Sequence, residues 1–157
     1  MSTARAPRSD TDRVASELAA LLPALHRALD RRIARDFPHP KPPEAQLALL
    51  RFVAQREGAT VREAAEALLM KPNNVSALVT QLTERGLLER RQDSADKRVA
   101  HLYPTATARG HLAEVRRLED GYLRHALVAL TDGELDALGS ALGALESLTR
   151  ALHPAAG

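Results

Sequence analysis

The chain contains no cysteine and no tryptophan. Without thiols it has no disulfide framework, no thiolate zinc site and no thiol redox switch, which agrees with a reducing compartment. Aromatic residues make up 3% of the sequence, so the core must be built from the abundant aliphatic side chains. Helix is the default for a chain rich in Ala and Leu. No apolar run approaches the roughly 18 residues of a membrane span, and the segment from Met1 to Arg13 lacks the apolar centre of a secretory signal. The sequence is accordingly read as soluble and cytoplasmic, with no membrane partner. Charge of one sign is also scarce. Lys and Arg number 22 against 20 Asp and Glu, so a case for a nucleic-acid partner must rest on local clustering.

Signatures of catalysis are missing too. There is no glycine loop to cradle a phosphate, no nucleophile elbow and no His-Glu-x-x-His motif. Six histidines, His26, His39, His101, His111, His125 and His153, are scattered without the spacing of metal ligands. The expectation is a non-enzyme with no cofactor and no metal site, and a metal sensor is disfavoured.

What the 157 residues do contain is a series of punctuated helical patterns. From about Thr11 to Arg35, Val14, Leu18, Leu21, Leu25, Leu29 and Ile33 recur at spacings of four and three, an amphipathic stripe. Pro23 interrupts it, and the loss of one backbone hydrogen bond there predicts a kink or two abutting helices. Phe37 to Pro43 carries four prolines and reads as a stiff connector. A second helix follows from Glu44 towards Gly58, burying Leu47, Leu50 and either Val53 or Ala54. Ala59 to Val61 is a short β-prone piece. A short helix then runs to Leu69, with Thr60 and Glu63 at the spacing of a capping box. After a break at Met70 and Lys71, Pro72 opens a helix that Gly86 closes.

Beyond Gly86 the periodicity changes. Leu87 to Gln92 and Arg98 to Tyr103 each read as a strand around the polar turn Asp93 to Lys97. Helix, turn, helix and hairpin make a winged helix-turn-helix. A long helix capped by Thr105 runs to about Leu130, and the last begins at the capping box Thr131 to Glu134. Leu135, Leu138, Leu142, Leu145 and Leu152 line that last helix, among small residues such as Ala137, Gly139, Ala141, Gly143 and Ala144. Small residues at this density make most sense where a partner helix packs closely.

The fold class expected is mainly α with a small β-hairpin wing: a winged helix-turn-helix plus terminal dimerisation helices. Its parts are a disordered tail over 1–10, an N-terminal dimerisation helix over 11–36, the DNA-binding domain over 43–104, and C-terminal helices over 105–153.

The run Ala64 to Leu68, the run Pro72 to Arg90, the wing Asp93 to Arg98, and Tyr103-Pro104-Thr105 closely resemble the MarR family of bacterial regulators. The resemblance extends from about Pro43 to Leu148. It implies terminal helices that form a homodimer, a helix-turn-helix that enters the major groove of double-stranded DNA, and a wing that reaches the adjacent minor groove. It also implies a small, often phenolic or lipophilic, effector bound between the dimerisation helices and the DNA-binding lobe, with a repressor binding a pseudo-palindromic operator. His26 and His111 lie on the elements that border such a cleft.

The proposed recognition helix carries its own chemistry. Asn73 and Asn74 sit in its first turn, where asparagine can pair with the N6 and N7 edge of adenine. Their plainer role is to satisfy open amides at the helix start. Ser76 and Thr80 share one face and reach bases or phosphates, while Val75, Leu78, Val79 and Leu82 face the core. Ala77 and Gln81 stand where many family members carry arginine, and Lys71 occupies a cap position usually given to serine. Among the wing residues, Arg98 matches the minor-groove arginine and Asp96 the acid that braces the hairpin; a surface salt bridge is the plainer reading of that pair. Arg90, Arg91 and Lys97 read as phosphate contacts. The alternative is a winged-helix interaction module that has lost DNA binding.

Overall fold

The computed structural model describes residues 8–153. Helix α1 spans Arg8–Asp36 and passes through Pro23 without dividing into two helices. Residues 1–7 of the expected tail lie outside the described residues, and Arg8 to Asp10 form the first turn of α1. Of the six stripe residues on α1 only Ile33 is buried, while Val14, Leu21 and Leu25 are 45%, 62% and 59% exposed. The stripe therefore exists, but this protomer does not cover it.

Helix α2 spans Glu44–Gln55, α3 Val61–Leu68 and α4 Pro72–Glu84. Strand β1 is Ala59–Thr60, β2 Leu88–Gln92 and β3 Ala100–Pro104. They form one antiparallel sheet in the order β1-β3-β2, with Ala59 opposite Leu102 and Arg90 opposite Leu102 on the other side. The short β-prone piece before α3 thus becomes a third strand. Two residues carry no periodicity, so this pairing is not legible in the sequence.

Local signals place the boundaries. The Thr60 hydroxyl accepts from the Glu63 amide while the Glu63 carboxylate accepts from the Thr60 amide, closing the capping box of α3. Gly86 takes φ +68° after α4, a conformation that excludes most other residues. Thr105 caps α5, Ala106–Leu127, by accepting from the Ala108 amide, and its hydroxyl donates to the Gly86 carbonyl at 2.8 Å. One threonine therefore closes the base of the hairpin and starts the long helix.

A single aliphatic core unites α2, α3, α4 and the sheet through Leu49, Leu50, Val53, Ala64, Val75, Val79, Leu82, Leu88 and Leu102, all nearly or fully inaccessible. The burial of Val75, Val79 and Leu82 turns the opposite face of α4 outward. A second, smaller cluster of Ile33, Phe37 and Val115 joins α1 to α5. Helix α6, Asp132–Leu152, starts at the capping box of Thr131 and Glu134, yet buries no residue. Leu135, Leu138 and Leu142 are 45%, 45% and 59% exposed. Fully burying such a side chain is worth about 1.5–3 kcal/mol, and only part of that is realised within the protomer.

Candidate nucleic-acid interface

Helix α4 begins with Pro72 in its first turn, and no side chain caps it: Lys71, at the cap position, has none to offer. Pro72 has no N–H, and the amides of Asn74 and Val75 donate to the Lys71 carbonyl at 3.0 and 3.2 Å, so what this end presents outward is the exposed side chains of Asn73 and Asn74. Ser76 and Ala77 continue the same exposed surface.

The next turn is different. Thr80 donates its hydroxyl to the Ser76 carbonyl at 3.1 Å and accepts from the Arg90 guanidinium at 2.9 Å. Its donor and one acceptor site are thereby used within the protein, and β2 is tied to α4. Gln81 accepts from the side-chain amide of Gln46 at 2.9 Å, and Arg85 donates to the Gln46 oxygen at 2.8 Å. Arginine only donates, so Gln46 must turn its oxygen to Arg85 and its nitrogen to Gln81. Gln46 is the one buried polar residue among the described residues. Arg85 also donates to the Pro40 carbonyl at 3.4 Å, extending the network to the connector. Asn73, Asn74, Ser76 and Ala77 are thus presented outward, whereas Thr80 and Gln81 are engaged with their own chain.

In the wing, Arg91 bonds Glu89 at 3.2 Å and lies 4.2 Å above the ring of Tyr103. Lys97 is exposed, and the Arg98 side chain is 93% exposed. Asp96 accepts from the Arg98 amide at 3.0 Å and its guanidinium at 3.4 Å, so it steadies the arginine. The turn itself is held by Asp93. One Asp93 oxygen accepts from the amides of Ala95 and Asp96, and the other from the His101 ring at 2.9 Å. The second His101 nitrogen donates to the Gly58 carbonyl at 2.7 Å. A hydrogen bond to His101 and two backbone donors hold Asp93 down to about 2. Asp93, the Gly58 carbonyl and more distantly Glu63 raise His101 above its ordinary value against the opposing effect of burial. The polar turn signal at Asp93 was readable as an Asx-turn, in which aspartate bonds the backbone two residues on.

The two histidines nominated for an effector lie apart. His111 stacks on His39 at 4.5 Å and meets Phe37 edge-on at 5.4 Å, packing the long helix against the connector. Burial, then His39 and Arg85, lower its pKa, and its Nδ1 is buried without a partner. His26 instead borders a small cavity with Asp30, Lys41, Glu44, Arg51 and Glu119. Among the described residues no helix is long and apolar enough to cross a membrane.

Three helices on one core, a three-stranded sheet and a hairpin bonded to an outward helix define a winged helix-turn-helix protein. Residues 41–99 match the model of a family described as "MarR family". Residues 41–99 are thus similar in sequence to the DNA-binding part of MarR-family regulators. The sequence match covers the helix-turn-helix and most of the wing, and the likeness of fold takes in the terminal helices.

FabT of Streptococcus pneumoniae, solved in complex with DNA, is similar with a TM-score of 0.75 and 16% identity over 90% of this chain and 99% of that one. A crystal structure of MarR gives 0.71 and 21% over 86% and 98%. A mutant of S. aureus MepR bound to an oligodeoxyribonucleotide gives 0.60 and 18% over 83% and 96%. No curated protein matches the sequence itself.

Proposed function

We propose that the protein binds a pseudo-palindromic operator as a homodimer and represses transcription until a small effector releases it. The observation that carries this reading is the pairing of an uncapped, outward helix start bearing Asn73 and Asn74 with a braced wing that ends in Arg98. Asparagine supplies a donor and an acceptor for adenine, and a guanidinium suits the negative potential of a narrow minor groove. Lys97, Arg90 and Arg91 take phosphates around them. The DNA held by FabT and by the MepR mutant supports the same use of this fold.

The second copy covers the apolar faces of α1 and α6 that the protomer leaves open. Two recognition helices related by a two-fold axis read half-sites about one helical turn apart, roughly 34–36 Å. The effector occupies the groove between α1 and α5, about 240 Å³, lined by Leu25, Leu29, Arg32, Tyr122, Leu123 and Ala126.

Selection of bound sequences from random DNA, followed by footprinting, tests this function. A symmetric footprint with two half-sites is expected, released by one or more lipophilic compounds from a panel. A single asymmetric half-site at saturation, or equal affinity for operator and scrambled DNA, defeats the reading.

A further inference from the structure

We propose that His26, Asp30 and Glu44 form a site for a divalent transition-metal ion that staples α1 to α2. His26 and Asp30 lie one turn apart on α1, so their side chains leave the same face. Glu44 is the first residue of α2, brought alongside by the connector. One donor atom from each of the three lies within 4.8 Å of the others. Ligand bonds of roughly 2.0–2.2 Å in tetrahedral geometry place donors about 3.4 Å apart. His26 and Glu44 are exposed, and binding requires their side chains to rotate to close that difference.

The adjoining cavity of about 80 Å³ has room for an ion and a water molecule. A cation already sits there. The Lys41 ammonium contacts Asp30, and its side chain is only 12% exposed. Arg51 holds Glu44 at 3.3 Å and Glu119 at 2.7 Å. Three carboxylates therefore face two cations, leaving one negative charge uncompensated when His26 is neutral. A divalent ion that displaces Lys41 into solvent, with Arg51 still on Glu119, balances the cluster. The flexible four-carbon stem of lysine allows that withdrawal, whereas the planar guanidinium stays with its carboxylate.

The donor set selects the ion. One imidazole with two carboxylates suits Zn²⁺ and its first-row neighbours, while Mg²⁺ prefers an all-oxygen shell and retains its water. The sequence concealed the site because no two histidines are spaced as ligands. Only the fold delivers the third donor, 14 residues beyond Asp30.

The test is competition of full-length protein with a chromophoric chelator for Zn²⁺, together with thermal melts with and without the ion. One Zn²⁺ per protomer and a higher Tm in its presence are expected. His26→Ala and Asp30→Asn should each weaken binding by at least the roughly 10- to 100-fold that loss of an outer-shell partner costs, and abolish the rise in Tm. Lys41→Met, which removes the competing ammonium, should bind several-fold more tightly. His111→Ala, outside the cluster, should bind as the parent does, and Mg²⁺ should not protect. No stoichiometric Zn²⁺, affinity unaltered in both His26→Ala and Asp30→Asn, or weaker binding by Lys41→Met overturns the site.

Discussion

The ring of His101 stands 2.9 Å from the carboxylate of Asp93 while its other nitrogen donates to the Gly58 carbonyl at 2.7 Å. A carboxylate and a carbonyl only accept, so both ring nitrogens donate and the imidazolium is the form this geometry holds. The turn of the wing and the loop before β1 are joined through one charged ring.

A definite pH dependence follows for the wing. His101 is raised, so its contribution to stability is complete below about pH 6.5 and is lost as pH climbs through the elevated folded value. Asp93 is lowered to about 2, so its contribution is complete above roughly pH 3.9 and is lost as pH falls towards 2. The tie is therefore strongest between about pH 4 and 6.5. An NMR titration should place the His101 midpoint above its ordinary value and show Asp93→Asn returning it downward. A midpoint at or below about 6.5 in the parent would refute the tie.

Reading and positioning separate in titrations at several salt concentrations. Asn74→Ala is expected to cost about 1–3 kcal/mol on the operator and almost nothing on scrambled DNA. Arg98→Ala should weaken both and flatten the salt dependence by roughly 0.9 for each cation no longer displaced. Equal losses on the two DNAs for both Asn73→Ala and Asn74→Ala would make these residues backbone contacts.

Gln46→Ala leaves Gln81 and Arg85 without their shared partner. Denaturant unfolding should show a loss of about 1.5–3 kcal/mol, the range for hydrogen bonds that include a charged group. A freed Gln81 should also change the preferred operator in a repeat of the random-DNA selection. Unchanged stability and an unchanged operator would show that the network does not hold α4.

Leu69 ends α3 at φ 56°, the one residue other than glycine with positive φ among the described residues. That conformation costs a leucine roughly 1–2 kcal/mol, and 53% of its surface is exposed. Leu69→Gly should raise stability by up to about 1 kcal/mol once glycine's larger unfolded-state entropy is deducted. A destabilised variant would mean that the half-buried Leu69 side chain contributes packing worth more than the backbone strain.

Leu142→Arg places a charge in the exposed apolar face of α6. Sedimentation should show the dimer dissociating at micromolar concentration, with operator binding lost in parallel. A fully dimeric variant would move the interface elsewhere.

Much of the fold was legible because its signals are local. Thr60 with Glu63, Thr131 with Glu134, Pro72 and Gly86 each announce a helix end through backbone chemistry within four residues. The inward set Val75, Val79 and Leu82 followed from period alone. Less legible was anything made by distant partners. Gln81 stands where the resemblance places an arginine, and that its side-chain oxygen accepts from Gln46, 35 residues away, is not legible from local sequence. Thr80 likewise meets Arg90 only after the hairpin turns back. Asp96 drew notice as the family's acid, whereas Asp93 supports the turn through a histidine eight residues on.

Helix α6 has a complete N-terminal cap and no buried side chain of its own. If a second copy provides its tertiary contacts, its folding is bimolecular, and the amount of protein in the cell becomes a term in its stability. Each tenfold dilution then lowers the stability of the assembled pair by about 1.4 kcal/mol. Two half-sites at the correct spacing oppose that dilution, because they hold two protomers at high local concentration. An operator of this kind selects for the folded dimer as well as recruiting it.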